Sequence, residues 1–142
     1  MGFSWTRENP PHWDEQKAKI VGGAPSGIFK LPTYKQGDVL PGEWWRVEDE
    51  AGVAGYGWMD TVWGDAEILL AVAPDRQKQG VGSFILDHLE DEARTRGLNH
   101  LYNSVRPTHP DREHVTRWLE SRHFKPSEDG AVLRRVVGAK AK

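Results

Sequence analysis

The sequence contains no cysteine, no hydrophobic run of transmembrane length and almost no net charge. Without cysteine, the protein has no disulfide framework, no thiolate metal site and no cysteine nucleophile. The missing transmembrane run, together with the lack of a signal-peptide apolar region, predicts a soluble cytoplasmic protein. A net charge of -2, from 19 basic and 21 acidic residues, gives no electrostatic reason to expect nucleic acid or an anionic membrane as a partner.

Two kinds of site are also missing. No Gly-x-x-x-x-Gly-Lys-Ser/Thr run forms a nucleotide-triphosphate loop, and no Gly-x-Gly-x-x-Gly opens a dinucleotide-binding unit. His109 and His114 are the histidines closest together here, but their spacing is not the i,i+4 pair of a helical zinc site. We therefore expect no bound metal.

The most informative segment runs from Glu67 to Ser83. Residues Ile68 to Ala73 form a short apolar run that predicts a strand buried on both faces. A turn with Gly80 and Gly82 follows, and then Phe84 to Arg96 has the apolar spacing of a helix. Because a helix N-terminus offers unpaired backbone N–H groups and a positive dipole end, this turn suits a pyrophosphate. The residues predicted to bind it are Gln77, Lys78, Gln79, Gly80, Val81, Gly82 and Ser83.

The pattern Gln77-x-x-Gly80-x-Gly82, between an Ala-Val-x-Pro strand and a helix, resembles motif A of the GNAT superfamily. Motif A is the acyl-CoA pyrophosphate loop of these N-acetyltransferases. The resemblance implies an α/β (α+β) GNAT fold, in which a mixed, mostly antiparallel sheet with splayed parallel strands 4 and 5 is flanked by helices.

The whole chain is predicted to form a single domain over residues 1–137, followed by a mobile tail at 138–142. The resemblance covers residues 43–137, and residues 1–42 are divergent. The predicted elements are a first strand at 3–6, a helix at 10–21 capped by Asn9, an irregular segment at 22–42, a hairpin of 44–48 with 53–59, a strand at 101–105, a helix ending near Arg122, and a C-terminal hairpin from Phe124 to Val137.

The resemblance implies an acyltransferase that moves an acetyl group from acetyl-CoA, its co-substrate, to a primary amine by direct attack in a ternary complex. The acceptor is a small molecule or an exposed protein amine, and the sequence does not identify it. The thioester oxygen is expected to meet a backbone N–H near Leu70, Ala71 or Val72. The alternative is a non-catalytic CoA-binding module that regulates a partner. The oligomeric state stays open, a homodimer included.

An attacking amine must be neutral, so the reaction needs a base. Glu67 is the candidate, because some GNAT members carry a catalytic Glu in a similar Ala-Glu-Ile context before motif A. Its spacing to Gly80 is one residue shorter here, which by strand alternation could turn the carboxylate to the other face. The alternative is that Glu67 is a polar residue at a strand end.

The general acid of the family does not transfer to this chain. Many members place a Tyr five residues before the Phe of a Leu-Gly-Phe motif, and here that position is Leu119 while His123 replaces the Gly. His114, Tyr102 and Ser104 are the alternatives as proton donors.

Seven tryptophans in 142 residues is a high count, and several of them flank carboxylates. An acidic, aromatic rim suits a cationic amine through ion pairing and cation–π contact. The predicted acceptor residues are Trp58, Asp60, Trp63 and Asp65, with Trp44 and Trp45 as further members. The alternative is that Trp45 and Trp58 belong to the core and the others stabilise the N-terminal half.

Overall fold

A seven-stranded sheet with three helices makes up the described part of the chain. The computed structural model describes residues 2–21, 35–76, 79–104, 112–128 and 131–137. The elements are β1 (Ser4–Glu8), α1 (Glu15–Ile20), β2 (Glu43–Asp49), β3 (Gly52–Val62), β4 (Asp65–Val72), α2 (Val81–Thr95), β5 (His100–Ser104), α3 (Arg112–Ser121), β6 (Lys125–Pro126) and β7 (Val132–Val136). Gln77, Lys78, Val105, the predicted tail and most of the predicted irregular segment lie outside the described residues.

The strand order is β1-β2-β3-β4-β5-β7-β6, and every neighbouring pair is antiparallel except β4 with β5. The predicted mixed sheet with a parallel β4–β5 pair is therefore confirmed. The β3–β4 ladder runs from Gly55–Val72 to Val62–Asp65. The parallel ladder has only the two pairs Ala66–Leu101 and Glu67–Tyr102.

The two faces of the sheet carry different helices. Helices α2 and α3 cover one face, which we call the α2 face, and the larger core lies there around Ile68, Ile85 and Leu133. Helix α1 covers part of the other face, the α1 face, above Tyr56 and Ala71. None of the helices within the described ranges has the length and hydropathy to span a bilayer.

Two glycines of β3 allow α2 to pack directly on the sheet. A Cβ atom at Gly57 would lie 2.9 Å from Ile85 Cγ2, and one at Gly55 would lie 2.6 Å from the Ala71 carbonyl oxygen. Any larger residue at these positions would push the helix or β4 away. The Gly-Tyr-Gly sequence thus sets how closely α2 approaches β4.

The first helix is shorter than predicted, and Asn9 does not cap it. It begins at Glu15, because the Asp14 side chain accepts a hydrogen bond from the Lys17 N–H at 2.8 Å. The residues before it are extended, and the Trp13 N–H donates to the Asp38 carbonyl at 2.7 Å. This pairing with a distant segment overrides the local helix signals of the two prolines.

Helix α3 ends in a Schellman motif that fixes Leu119. The N–H of Phe124 donates to the Leu119 carbonyl at 3.1 Å, and the N–H of His123 donates to that of Glu120 at 3.0 Å. His123 takes the left-handed conformation, with φ of 71°, that glycine usually fills. Leu119 and Phe124 are each 2% exposed and provide the apolar contact of this motif.

A fully buried lysine attaches α1 to the sheet. Lys17 Nζ lies 2.5 Å from Glu8 Oε1 and 3.2 Å from Asp14 Oδ2, and its side chain is 0% exposed. The ammonium also lies 4.9 Å from the centre of the Tyr56 ring. Arg46 shares Glu8, with Nη1 at 2.9 Å from Oε2. The charges are thus paired, as burial requires.

We predict that Lys17→Met lowers the free energy of unfolding by about 3 kcal/mol, because it leaves Glu8 buried with one cation instead of two. Lys19→Met on the exposed side of the same helix is the matched control and should change stability little. Denaturant titration of the three proteins measures the difference. Equal stabilities of the two variants would contradict a supporting role for the buried pair.

Candidate active site

A gap opens between β4 and β5 beyond Glu67 and Tyr102. The Asn103 side chain bridges its start, donating from Nδ2 to the Ile68 carbonyl at 2.8 Å. On the other side of β4, the Ala73 N–H donates to the Ala54 carbonyl of β3 at 2.8 Å.

Backbone groups alternate in direction along a strand, so the hydrogen bond from Ala73 to Ala54 shows in which direction each predicted N–H donor points. The Ala71 N–H points towards β3, like that of Ala73. The N–H groups of Leu70 and Val72 point towards the gap, as the Ile68 carbonyl does. Two of the three predicted donors therefore face the space in which a thioester would lie.

The glycine-bearing turn leads into α2 earlier than predicted. The helix begins at Val81 rather than Phe84, with Gly80 as its N-cap residue at φ of 85°. Gly82 and Ser83 therefore lie in the first helical turn instead of the preceding loop. Among the described residues, no side chain caps this end, and the first turn has no acidic residue. A Cβ atom at Gly80 would meet none of the described residues within 4 Å, so this helix end fits an anionic phosphate group.

An ion pair fixes the start of this turn to the β2–β3 hairpin. Arg76 Nε lies 2.7 Å from Asp49 Oδ2, and Arg76 Nη2 lies 3.2 Å from Oδ1. The hydrogen bond from Arg76 is the main reason that the pKa of Asp49 is lowered. This two-bond contact gives the turn a defined position relative to β4.

Glu67 lies on the α1 face, at the last rung before the gap. Its register partners are Asp60 on β3 and Tyr102 on β5, which share its face. Burial raises the pKa of Glu67, and the carboxylate of Asp60 raises it further. Burial also raises the pKa of Tyr102, with a further contribution from Glu67. The site thus places a carboxylate of raised basicity beside a phenol that stays protonated.

The predicted acceptor residues divide into two groups. Trp58 is half-buried on the face of Glu67, and its Nε1 donates to the Pro41 carbonyl at 3.2 Å. Asp60, the register partner of Glu67, is exposed. The structure therefore brings Trp58 and Asp60 to the same region as Glu67.

Trp63 lies apart from this region, whereas Asp65 borders it on the same face of β4. Trp63 is 97% exposed in the β3–β4 turn, and Asp65 Oδ1 lies 3.0 Å from His100 Nδ1. Asp65 is only about 7 Å along the strand from Glu67 at the usual rise per residue, and its charge contributes to the raised pKa of Tyr102 after burial and Glu67. Trp44 and Trp45 are 7% and 1% exposed, so both are core residues, as the alternative interpretation stated for Trp45.

The proton-donor candidates are also separated by the structure. Leu119 belongs to the core, while His114 and Ser104 are exposed. Tyr102 is the candidate that adjoins Glu67 and the gap.

Leu119→Tyr is therefore expected to overpack the core and to lower the free energy of unfolding by about 1 to 3 kcal/mol. Glu120→Tyr, at the exposed neighbouring position, places the same ring outside the core and should leave stability close to that of the parent. Denaturant titration compares the three proteins. A Leu119 variant as stable as the parent would show that this position has room for a phenol.

The sequence and the fold agree with one family of known proteins. The model of the acetyltransferase (GNAT) family matches residues 4–124. This chain therefore belongs to the acetyltransferase (GNAT) family, and its class is acyltransferase. A search of curated protein sequences finds no match.

Solved structures with this fold include several acetyltransferases. The ribosomal-protein-S18-alanine N-acetyltransferase from Escherichia coli is 19% identical with a TM-score of 0.62, over 98% of this chain and 97% of that one. The N-acetylglutamate synthase from Neisseria gonorrhoeae, complexed with coenzyme A and N-acetyl-glutamate, is 19% identical with a TM-score of 0.70, over 96% of this chain and 36% of that one. A phosphinothricin acetyltransferase from Sinorhizobium meliloti, in complex with AcCoA, is 19% identical with a TM-score of 0.54, over 68% and 62%. At these identities the likeness shows the fold.

Proposed function

We propose that this protein is an N-acetyltransferase that uses acetyl-CoA and a cationic primary amine, with residues 1–137 acting as one domain. One observation carries the proposal. The open N-terminus of α2, the gap-facing backbone of β4 and the Glu67 carboxylate form a continuous path from a phosphate site to a base. Acetyl-CoA, when bound, supplies an acetyl thioester activated for attack by an amine.

The residues of this path have separate roles. The turn from Gln79 to Ser83 binds the pyrophosphate through backbone N–H groups. The N–H of Leu70 or Val72 donates to the thioester oxygen and stabilises the negative charge that develops on it during attack. Asn103 holds the gap open at its narrow end, because its side chain replaces a backbone rung.

Glu67 removes the proton from the acceptor amine, directly or through a water molecule. Its raised pKa increases its strength as a base. Tyr102, next to it on β5, keeps its proton and is the donor best placed to protonate the departing thiolate.

The acceptor is proposed to be cationic, because Asp60 and the half-buried ring of Trp58 flank Glu67. The names of two structural neighbours describe a protein acceptor, ribosomal protein S18, and a small-molecule acceptor, phosphinothricin. The fold thus accommodates both kinds. The direct test mixes the protein with acetyl-CoA and a panel of polyamines, aminoglycosides, amino acids and peptides while following thiol release. Binding of acetyl-CoA without amine-dependent thiol release would favour the alternative, a non-catalytic CoA-binding module.

For Glu67→Gln we expect kcat/KM to fall by roughly 10²-fold or more with the best amine, because the amide keeps the shape but has no basicity. The affinity for acetyl-CoA, measured by calorimetry, should stay near that of the parent. The exposed Glu50→Gln is the control for loss of one negative charge. Parent-like rates in the Glu67 variant from pH 6 to 9 would return this residue to a structural role.

The pH dependence tests the link between Glu67 and Asp60. Only the ionised carboxylate accepts a proton, so kcat/KM should rise with pH through the raised pKa of Glu67. Asp60→Asn removes the like charge and lowers that pKa, so the acid limb of the profile moves to lower pH. Burial, the larger cause of the raised pKa, remains in this variant. The acid limb should therefore still lie at higher pH than it would for an exposed glutamate.

Asp87→Asn on the exposed side of α2 serves as the control and should leave the acid limb in place. Profiles of the parent and the Asp60 variant that coincide would show that another group sets the limb.

A further inference from the structure

Arg122 carries a positive charge to the N-terminus of α2. The residue follows α3, and its Nη2 donates to Ser83 Oγ in the first turn of α2. Its guanidinium lies over the Trp118 ring, 5.1 Å from the ring centre. Because the N-terminus of a helix is itself positive, a cation at this position is electrostatically unfavourable unless an anion joins it.

Among the described residues, Arg122 differs from the other half-buried arginines in its partners. Each of the others contacts a carboxylate; they are Arg46, Arg76, Arg94 and Arg135. The polar partner of Arg122 within the described ranges is the neutral hydroxyl of Ser83. The first turn of α2 has no acidic residue that could compensate the charge. The charge of Arg122 is therefore not balanced by a carboxylate of the described residues and is available to an external anion.

The surroundings leave room for such an anion beside Arg122. A Cβ atom at Gly82 would lie 3.5 Å from Trp118 Cζ2, so the ring stands directly over the first turn of α2. A Cβ atom at Gly80, the N-cap residue of α2, would meet no atom of the described part of the chain within 4 Å. Trp118 therefore holds the guanidinium on one side, and the turn stays accessible on the other.

We propose that Arg122 binds a phosphate group of the CoA moiety and is a side-chain determinant of its affinity, in addition to the backbone of the turn. The inference rests on the proposed function, because the turn must first hold CoA. A guanidinium presents several N–H donors in a plane, so it contacts a phosphate and Ser83 at the same time. Either the pyrophosphate or the 3′-phosphate supplies the anion.

Calorimetry with CoA, 3′-dephospho-CoA and pantetheine tests the proposal on the parent, Arg122→Gln and Arg117→Gln. Arg117 lies on α3, shortly before Arg122, and is exposed, so it is the matched charge control. We expect Arg122→Gln to weaken CoA about tenfold or more, the usual effect of losing a hydrogen bond to a charged group. Pantetheine, which lacks phosphate, should bind both variants as it binds the parent. If the 3′-phosphate is the partner, dephospho-CoA should bind the parent and Arg122→Gln equally. If the pyrophosphate is the partner, Arg122→Gln should bind both CoA and dephospho-CoA more weakly than the parent does.

A further variant, Arg122→Lys, separates charge from packing. It keeps the charge but loses the planar set of donors, so its CoA affinity should fall between those of the parent and Arg122→Gln. A lysine variant as weak as Arg122→Gln would assign the loss to contact with Trp118 and overturn the proposal. Parent-like CoA affinity in a folded Arg122→Gln protein would also overturn it. A parent that does not bind CoA would instead refute the proposed function, so the two failures are distinguishable.

Discussion

The site depends on one departure from regular pairing, the separation of β5 from β4 after two rungs. Backbone N–H and C=O groups away from water need partners, and β4 has its β3 partners along its whole length. On the other edge, the Asn103 side chain satisfies the Ile68 carbonyl and the strand then faces a gap. A parallel sheet that continued here would use the same N–H groups for its own ladder. The separation therefore makes the backbone of Leu70 and Val72 available for binding.

The rest of the fold holds this edge in place. Strand β4 leads through the Pro74–Arg76 turn to the proposed phosphate turn and α2. Arg76 attaches that turn to Asp49, and Gly57 lets α2 pack closely on the sheet beside β4. Because the contacts are short and the segments are adjacent in sequence, the phosphate turn and the β4 edge form one unit. A shift of α2 would therefore move the phosphate turn relative to the gap.

The sequence predicted the parts of the fold that local patterns encode. The apolar run of β4 and the amphipathic spacing of α2 gave the central strand-turn-helix unit, and the resemblance gave the parallel β4–β5 pair. Contacts between distant segments were not predictable in this way. The burial of Lys17 on α1 depends on Glu8 of β1, and no sequence signal marked Asn103 as a bridge. The predicted start of α1 was wrong for the same reason, since the distant segment around Asp38 pairs with the residues before the helix.

Although the net charge is only -2, acidic and basic groups lie in different parts of the molecule. Asp60 and Glu67 lie on the α1 face, whereas Arg122 lies at the N-terminus of α2. A cationic amine and an anionic CoA moiety would each be attracted to a different end of one gap. Burial raises the pKa of Glu67, and repulsion from Asp60 raises it further, towards that of an amine. A smaller difference in pKa makes proton transfer from the amine less unfavourable. In the proposed reaction, Asp60 would therefore both attract the acceptor and strengthen Glu67 as the base that activates it.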